Sequence, residues 1–449
     1  MELYRKDTRK SSFLLFLLGL GSATKVYLLG TIALSELVIF PLAPVLLLMN
    51  LQRLKQDGFT VFLNMLGLMT AGLFASSWWN HSPYPFVLKQ FAVFYGFFAY
   101  YVAFYCLLRN NIKGLGWFFL GLFMSGVVTI WAFNPSANVD SSGFAFVADA
   151  TVDDIIMGPL FWIGKVRGLG QLPIIAEYLK TPLAYSIITP ILFVVFALFT
   201  TITGRGQSMC VLIGCAMMCI GRKSRASMAK RGKHFWTCLI VGAAVLFSYK
   251  IVYSYAAENG YLGEEALVKY KHQTDQGTGV LSMLMAGRTE FFIALTAIVD
   301  RPILGYGPRA EDTQGYAEKF LLKYGTTQDL ASYFYYKMHY LSRGMVASIP
   351  THSHIMSAWV WCGVPGLAFW VWVIYTIYRH IRFYSAAVPQ WFGYFALMIP
   401  SILWGMFFNP VSSRFEMPLL LVCMAYARAI ASGKLQLPYE LEMEARKHE

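Results

Sequence analysis

The chain of 449 residues is 57% hydrophobic and 16% aromatic but only 14% charged, with a mean hydropathy of +0.50. A soluble protein carries roughly 25% charged residues, so this composition excludes a soluble particle and leaves a polytopic membrane protein. The formal net charge of +13 does not point to nucleic acid, because Lys and Arg sit in short gaps between apolar runs, as cytoplasmic loops do.

In chain order, the basic segment 1–10 precedes an apolar run and is expected to be a cytoplasmic tail before an uncleaved first span. Crossing the hydrocarbon takes about 20 apolar residues. Candidate spans are 12–26, 28–49, 58–79, 86–108, 113–133, 184–203, 206–221, 234–253, 354–378, 391–409 and 415–431. The gaps holding Arg53 and Lys55, Arg109 and Lys113, and Arg379 and Arg382 are read as cytoplasmic. So is the densest basic cluster, which runs from Arg222 to Lys233.

These assignments put the exit of 113–133 and the turn near Arg205 on one face with a single crossing between them. A further span is therefore expected at 157–179, "MGPLFWIGKVRGLGQLPIIAEYL", despite Lys165, Arg167 and Glu177. The alternative is that 134–183 is a surface loop and another span is misplaced. The expected architecture is an all-α polytopic protein of about twelve transmembrane helices, a single membrane domain over 1–449 with both termini cytoplasmic.

Two long segments, 134–156 and 254–353, fall on the opposite face. Within the second, 290–304 ("EFFIALTAIVDRPIL") is too short to span and is expected to form an amphipathic helix on the outer surface. The stretch 309–351 reads as one or two helices with aromatic faces, where Tyr333, Tyr335 and Tyr336 either pack or stack on sugars. The seven cysteines lie in apolar runs without metal-type spacing, as core residues do.

The outer-face segments collect Arg167 with Glu177, Arg205, Arg288, His352 and His354. Gly204 and Gly206 flank Arg205, allowing a tight turn and close approach to a ligand. Arg288 falls at the expected N-terminus of the interfacial helix, where free N–H groups and the dipole favour an anion. A lone arginine there is an interfacial anchor. Several, opposite the basic loops, suit bidentate phosphate binding in a partly dry setting. His352 opens "HSHIMSAWVWCGVPG" at the mouth of a span, and imidazole suits proton transfer near neutral pH. The acidic pair Asp153–Asp154 is read as part of a solvated loop.

Four segments, in order, resemble the O-antigen ligase and O-antigen polymerase superfamily: "RGLGQLPIIAEYL", "TGRG", "GRTEFF…ALTAIVDRPILGYGP", and "HSH" followed by "GVPG". The resemblance spans about 160–370. It implies an inner-membrane, GT-C-like glycosyltransferase with a periplasmic helical segment, here 254–353, ahead of the catalytic histidine. Such enzymes move a glycan from undecaprenyl diphosphate to an acceptor hydroxyl without metal, nucleotide sugar or other cofactor. By position, His352 would be the base and Arg205 and Arg288 would hold the leaving diphosphate. Arg167, Glu177 and His354 would complete the cavity.

The implied partners are membrane lipids, the undecaprenyl-diphosphate-linked glycan and its acceptor, and no nucleic acid is implied. Lipid A–core as acceptor makes the protein a ligase, the preferred reading, and a second lipid-linked unit makes it a polymerase. A transporter for the lipid-linked glycan is the reading from another class; it would use the arginines but need no base. The chain departs from the family in having Ser353 where asparagine is usual, with His354 next. Spacing to Gly363 and Gly366 favours His352 over His354.

Overall fold

The computed structural model describes residues 2–27, 31–109, 111, 114–132, 289–325, 327–342, 346–380, 392–409 and 414–434, with scattered positions between 210 and 271. The candidate spans 157–179 and 184–203, and nearly all of 206–221 and 234–253, lie outside the described residues. What is described is mostly helical.

The chain opens with α1 (Glu2–Ala23), a two-stranded hairpin of β1 (Lys25–Tyr27) and β2 (Thr31–Ala33), then α2 (Leu34–Gln56), α3 (Thr60–Trp79), α4 (Tyr84–Leu108) and α5 (Leu115–Ala132). After the gap come α6 (Thr289–Asp300), α7 (Tyr316–Tyr324), α8 (Thr327–Leu341), α9 (His354–Cys362), α10 (Val364–His380), α11 (Phe392–Phe408) and α12 (Glu416–Ala431). Among the described residues, α2, α3 and α4 are long and apolar enough to cross a membrane; Leu115–Ser125 and Met398–Phe408 are shorter apolar stretches. The outer surface of α2 exposes Val38, Val45, Leu48 and Met49, which a bilayer would cover at no cost.

Two expectations need correction. The segment 28–49 was expected to be one span, but the antiparallel pairing of Lys25 with Ala33 and Tyr27 with Thr31 occupies its start. The second helix therefore begins at Leu34, where the Glu36 carboxylate accepts the Ala33 N–H at 3.1 Å and satisfies one of the first-turn donors. The segment 354–378 was also expected to be one span, and it is two helices folded back on each other. Gly363 turns the chain at φ +66°, and His354 lies 5.1 Å from Trp370, ring centroid to ring centroid. Along one continuous helix those residues would stand about 24 Å apart.

Helices α1 and α5 run parallel at very close range. The Asn111 amide donates to Ser11 and Ser12 at one end, each at 2.8 Å, and the Thr24 and Ser125 hydroxyls meet at 2.9 Å at the other. Between them, a Cβ on Gly19 would fall 2.0 Å from the Phe118 carbonyl oxygen, and one on Gly121 would fall 2.1 Å from that of Phe16. Only glycine allows this backbone approach, the small-residue packing common between membrane helices.

The bundle has two distinct ends. At one, Arg109 pairs with Asp57 at 3.4 Å, Tyr105 donates to Asp57 at 2.7 Å, and Tyr426 donates to the Tyr105 carbonyl at 2.7 Å. Arg428 meets His380 there at 3.3 Å. The last turns of α2, α10 and α12 bring Arg53, Lys55, Arg379 and Arg428 to their ends. At the other end, Asn80 donates to the Gly305 carbonyl at 3.2 Å and accepts from Arg301 at 2.8 Å.

The main apolar core draws on α1 to α5 and α9 to α12. A second core joins Ile293, Ala294, Ala297 and Ile298 of α6 to Ala317 and Leu321 of α7, and to Met356 and Val360 of α9. Helix α9 is thus a wedge between two layers, with Ile355, Ala358 and Cys362 facing the first core and Met356 and Val360 the second. Helix α6, 12 residues long, packs its apolar stripe against α7 and α9.

Candidate functional site

The site is built where α6 and α9 begin. These helices run side by side in the same direction, and three bonds fasten their far ends. The Tyr306 N–H donates to the Val360 carbonyl at 2.6 Å, the Val364 N–H to that of Ile303 at 2.9 Å, and the Trp359 indole to that of Pro302 at 2.9 Å. The contact is close enough to require glycine. A Cβ on Gly363 would fall 1.9 Å from the Ile303 oxygen, and one on Gly305, at φ +68°, 2.5 Å from that of Val360. Gly305 and Gly363 thus belong to one joint, which sets the position of α6 against α9.

At the near ends, the imidazole Nδ1 of His352 meets the Oε2 of Glu290, in the first turn of α6. The His352 side chain is 63% exposed. Ser353, fully buried, caps α9: its Oγ accepts the Met356 N–H at 3.2 Å and donates to the Met406 carbonyl of α11 at 2.8 Å. Asparagine, usual at this position in the resembled family, is an equally good cap residue, so Ser353 preserves that local role. His354 packs on the Trp370 ring with Gly405 of α11 alongside, where an added Cβ would lie 3.4 Å from the imidazole Cε1. The two histidines therefore differ in kind. His352 is accessible and held against a carboxylate, whereas His354 is wedged into the bundle.

Trp370, whose ring lies 5.1 Å from that of His354, also meets Phe97 of α4 at 6.3 Å, so His354 lies at the base of the α9–α10 hairpin, away from its Gly363 tip.

The outer layer is pinned by polar contacts. Asp312 caps α7, its carboxylate accepting the N–H groups of Tyr316 at 2.7 Å and Ala317 at 2.9 Å. Tyr316 donates to Asp300 at 2.5 Å, and its hydroxyl stands 2.7 Å from that of Tyr306. Burial, and then the bond to Asp300, push the Tyr316 phenol above its ordinary range. Lys337 of α8 pairs with Glu318 of α7, which raises its ammonium pKa. Tyr333 is partly buried against the second core and Tyr335 is exposed; the Tyr336 side chain lies outside the described residues.

Arg167, Glu177, Arg205 and Arg288 lie outside the described residues. Arg288 directly precedes Thr289, the first residue of α6. Two charged contacts at and near the site join residues that no sequence motif relates. One is Glu290 against His352, announced only by an acidic residue two places after Arg288. The other is the buried pair of Glu36 and Arg414, 2.6 Å apart, with the arginine stem against Gly96. A glutamate in an apolar run was its signal, since a charge at that depth is kept only with a partner or a task. No group of three or more His, Cys, Asp or Glu placed to hold a metal ion occurs among the described residues.

No protein-family model matches the chain, and no curated protein matches it.

Proposed function

We propose that the protein is a glycosyltransferase that moves a glycan from undecaprenyl diphosphate to an acceptor hydroxyl at the periplasmic face of the bacterial inner membrane. It does so as a GT-C-like protein of about twelve spans, with lipid A–core as the preferred acceptor. The observation that carries this reading is the accessible His352, braced by a carboxylate where two parallel helices begin. An imidazole so placed accepts the acceptor's hydroxyl proton as that oxygen attacks the anomeric carbon. The bond from that carbon to the phosphate oxygen breaks, and the lipid diphosphate leaves with the electron pair.

The leaving group gains negative charge, which fixed cationic side chains stabilise. Arg288 and Arg205 supply the fixed positive charge in this reading, with Arg167 and Glu177 as the further site residues that the resemblance implies. His354, packed on Trp370, supports the fold beneath the base.

A gel of surface glycolipids from a deletion strain tests the reading. The expected result is bare lipid A–core with accumulated lipid-linked polymer, restored by the wild-type gene and not by His352→Ala. A core capped with single repeats would identify a polymerase, and full restoration by His352→Ala would remove the enzymatic reading.

A further inference from the structure

We propose that Glu290 is the positioning residue for His352: it orients the imidazole and raises its basicity. This rests on the proposed role of His352 as base. The two side chains come from helices far apart in sequence, and the Nδ1 of one meets the Oε2 of the other. A carboxylate at Nδ1 selects the tautomer with the proton on that nitrogen, leaving the lone pair on Nε2. It also stabilises the imidazolium formed when Nε2 takes the acceptor's proton, as carboxylate partners of catalytic histidines do. The balance is simple: one proton moves from hydroxyl to Nε2, and the Nδ1 proton stays between the pair.

Among the described residues, Glu290 is a charged group in contact with His352. Helices α3 and α11 carry no Asp, Glu, Lys, Arg or His. On α10 the only such groups are Arg379 and His380, in its last turn, and Asp300 lies at the opposite end of α6 from Glu290. Helix α7 carries Glu318, Lys319 and Lys323; the first is held by Lys337. The remaining neighbour on the same element is His354, stacked on Trp370. The joint of Gly305 and Gly363 at the far ends of α6 and α9 holds Glu290 in place, so the pair does not depend on flexible side chains alone.

The alternative is that Glu290 serves α6 only, as an acidic residue in a first turn does. Glu290→Gln separates the two, because it keeps the shape and an acceptor oxygen but removes the charge. The full-length protein in lipid nanodiscs is used for two measurements. The first is the pH dependence of modification of His352 by diethyl pyrocarbonate, read on its peptide by mass spectrometry, which needs no activity. The second is the pH–rate profile of glycan transfer. The expected result is that Glu290→Gln lowers the midpoint of His352 modification and moves the acid limb of the profile to lower pH. It also reduces kcat by about 10- to 100-fold, as loss of an outer-shell partner of a histidine does, with KM for the lipid-linked donor little changed. Adding Glu290→Gln to His352→Ala is expected to cause no further loss, since the two act as a unit. An unchanged midpoint and a rate within twofold of wild type would overturn the proposal. Retained transfer by His352→Ala would instead overturn the reading of His352 as base, while the modification midpoint still reports the pairing.

Discussion

The backbone N–H of Tyr306 donates to the carbonyl of Val360 at 2.6 Å, and this bond ties the loop after α6 to the end of α9 and so to the histidine site. The glycines beside it make the approach possible. Gly363→Ala would add a Cβ 1.9 Å from the Ile303 oxygen at φ +66° and ψ −150°, combining a clash with strain of about 1–3 kcal/mol in a backbone region that only glycine adopts readily. Gly305→Ala faces the same problem from the other side. Each substitution is expected to lower the unfolding midpoint in detergent and to weaken transfer. The double variant should lose less than the sum, because both break one joint. Gly67→Ala on α3, where a Cβ would meet nothing within 4 Å, is expected to be neutral or stabilising by up to about 1 kcal/mol.

The pair of Glu36 and Arg414 makes a second prediction. Their separation is 2.6 Å and Glu36 is buried, so removing one partner strands a charge. Arg414→Met or Glu36→Gln is each expected to cost about 3–5 kcal/mol, and replacing both by apolar residues should recover much of the loss. Thermal unfolding of the single and double variants checks this. Single variants as stable as wild type would show that the pair carries no weight.

Ser353 offers a finer test of local chemistry. Ser353→Ala removes the cap of α9 and leaves the Met406 carbonyl without its donor, an expected loss of about 1–2 kcal/mol. Ser353→Asn keeps a capping oxygen and is expected to retain more stability than Ser353→Ala. Chemical denaturation of the purified variants ranks them, and equal losses would show that the cap is immaterial.

Much of the fold was legible in the sequence because apolar runs and their basic ends follow from the cost of burying charge and unpaired backbone. The helices α3, α4, α5, α11 and α12 match their expected runs to within a few residues. The break at Gly363 was not legible, since "WVWCGVPGLAFW" is as apolar as an unbroken span. What breaks it is a tertiary contact with Ile303, about sixty residues earlier, that hydropathy does not encode. The β1–β2 hairpin was hidden for a similar reason, lying inside an apolar stretch read as helix.

For the site, spacing to Gly363 and Gly366 favoured His352 over His354; in the structure one imidazole is exposed beside Glu290 and the other is packed on Trp370. Glu290 itself was not legible as a partner, because nothing local relates it to a histidine more than sixty residues away. The joint of Gly305 and Gly363 was not legible either, because each lies where a side chain would meet the backbone of the other's segment, a tertiary contact.

The most direct test of the central claim is a transfer assay with purified protein, lipid-linked glycan donor and acceptor, run alongside donor binding. Wild-type protein is expected to transfer the glycan. His352→Ala is expected to bind the donor with unchanged affinity while transfer falls by at least about 100-fold, the lower bound for loss of a general base. Transfer by His352→Ala at the wild-type rate, with donor binding intact, would contradict the account.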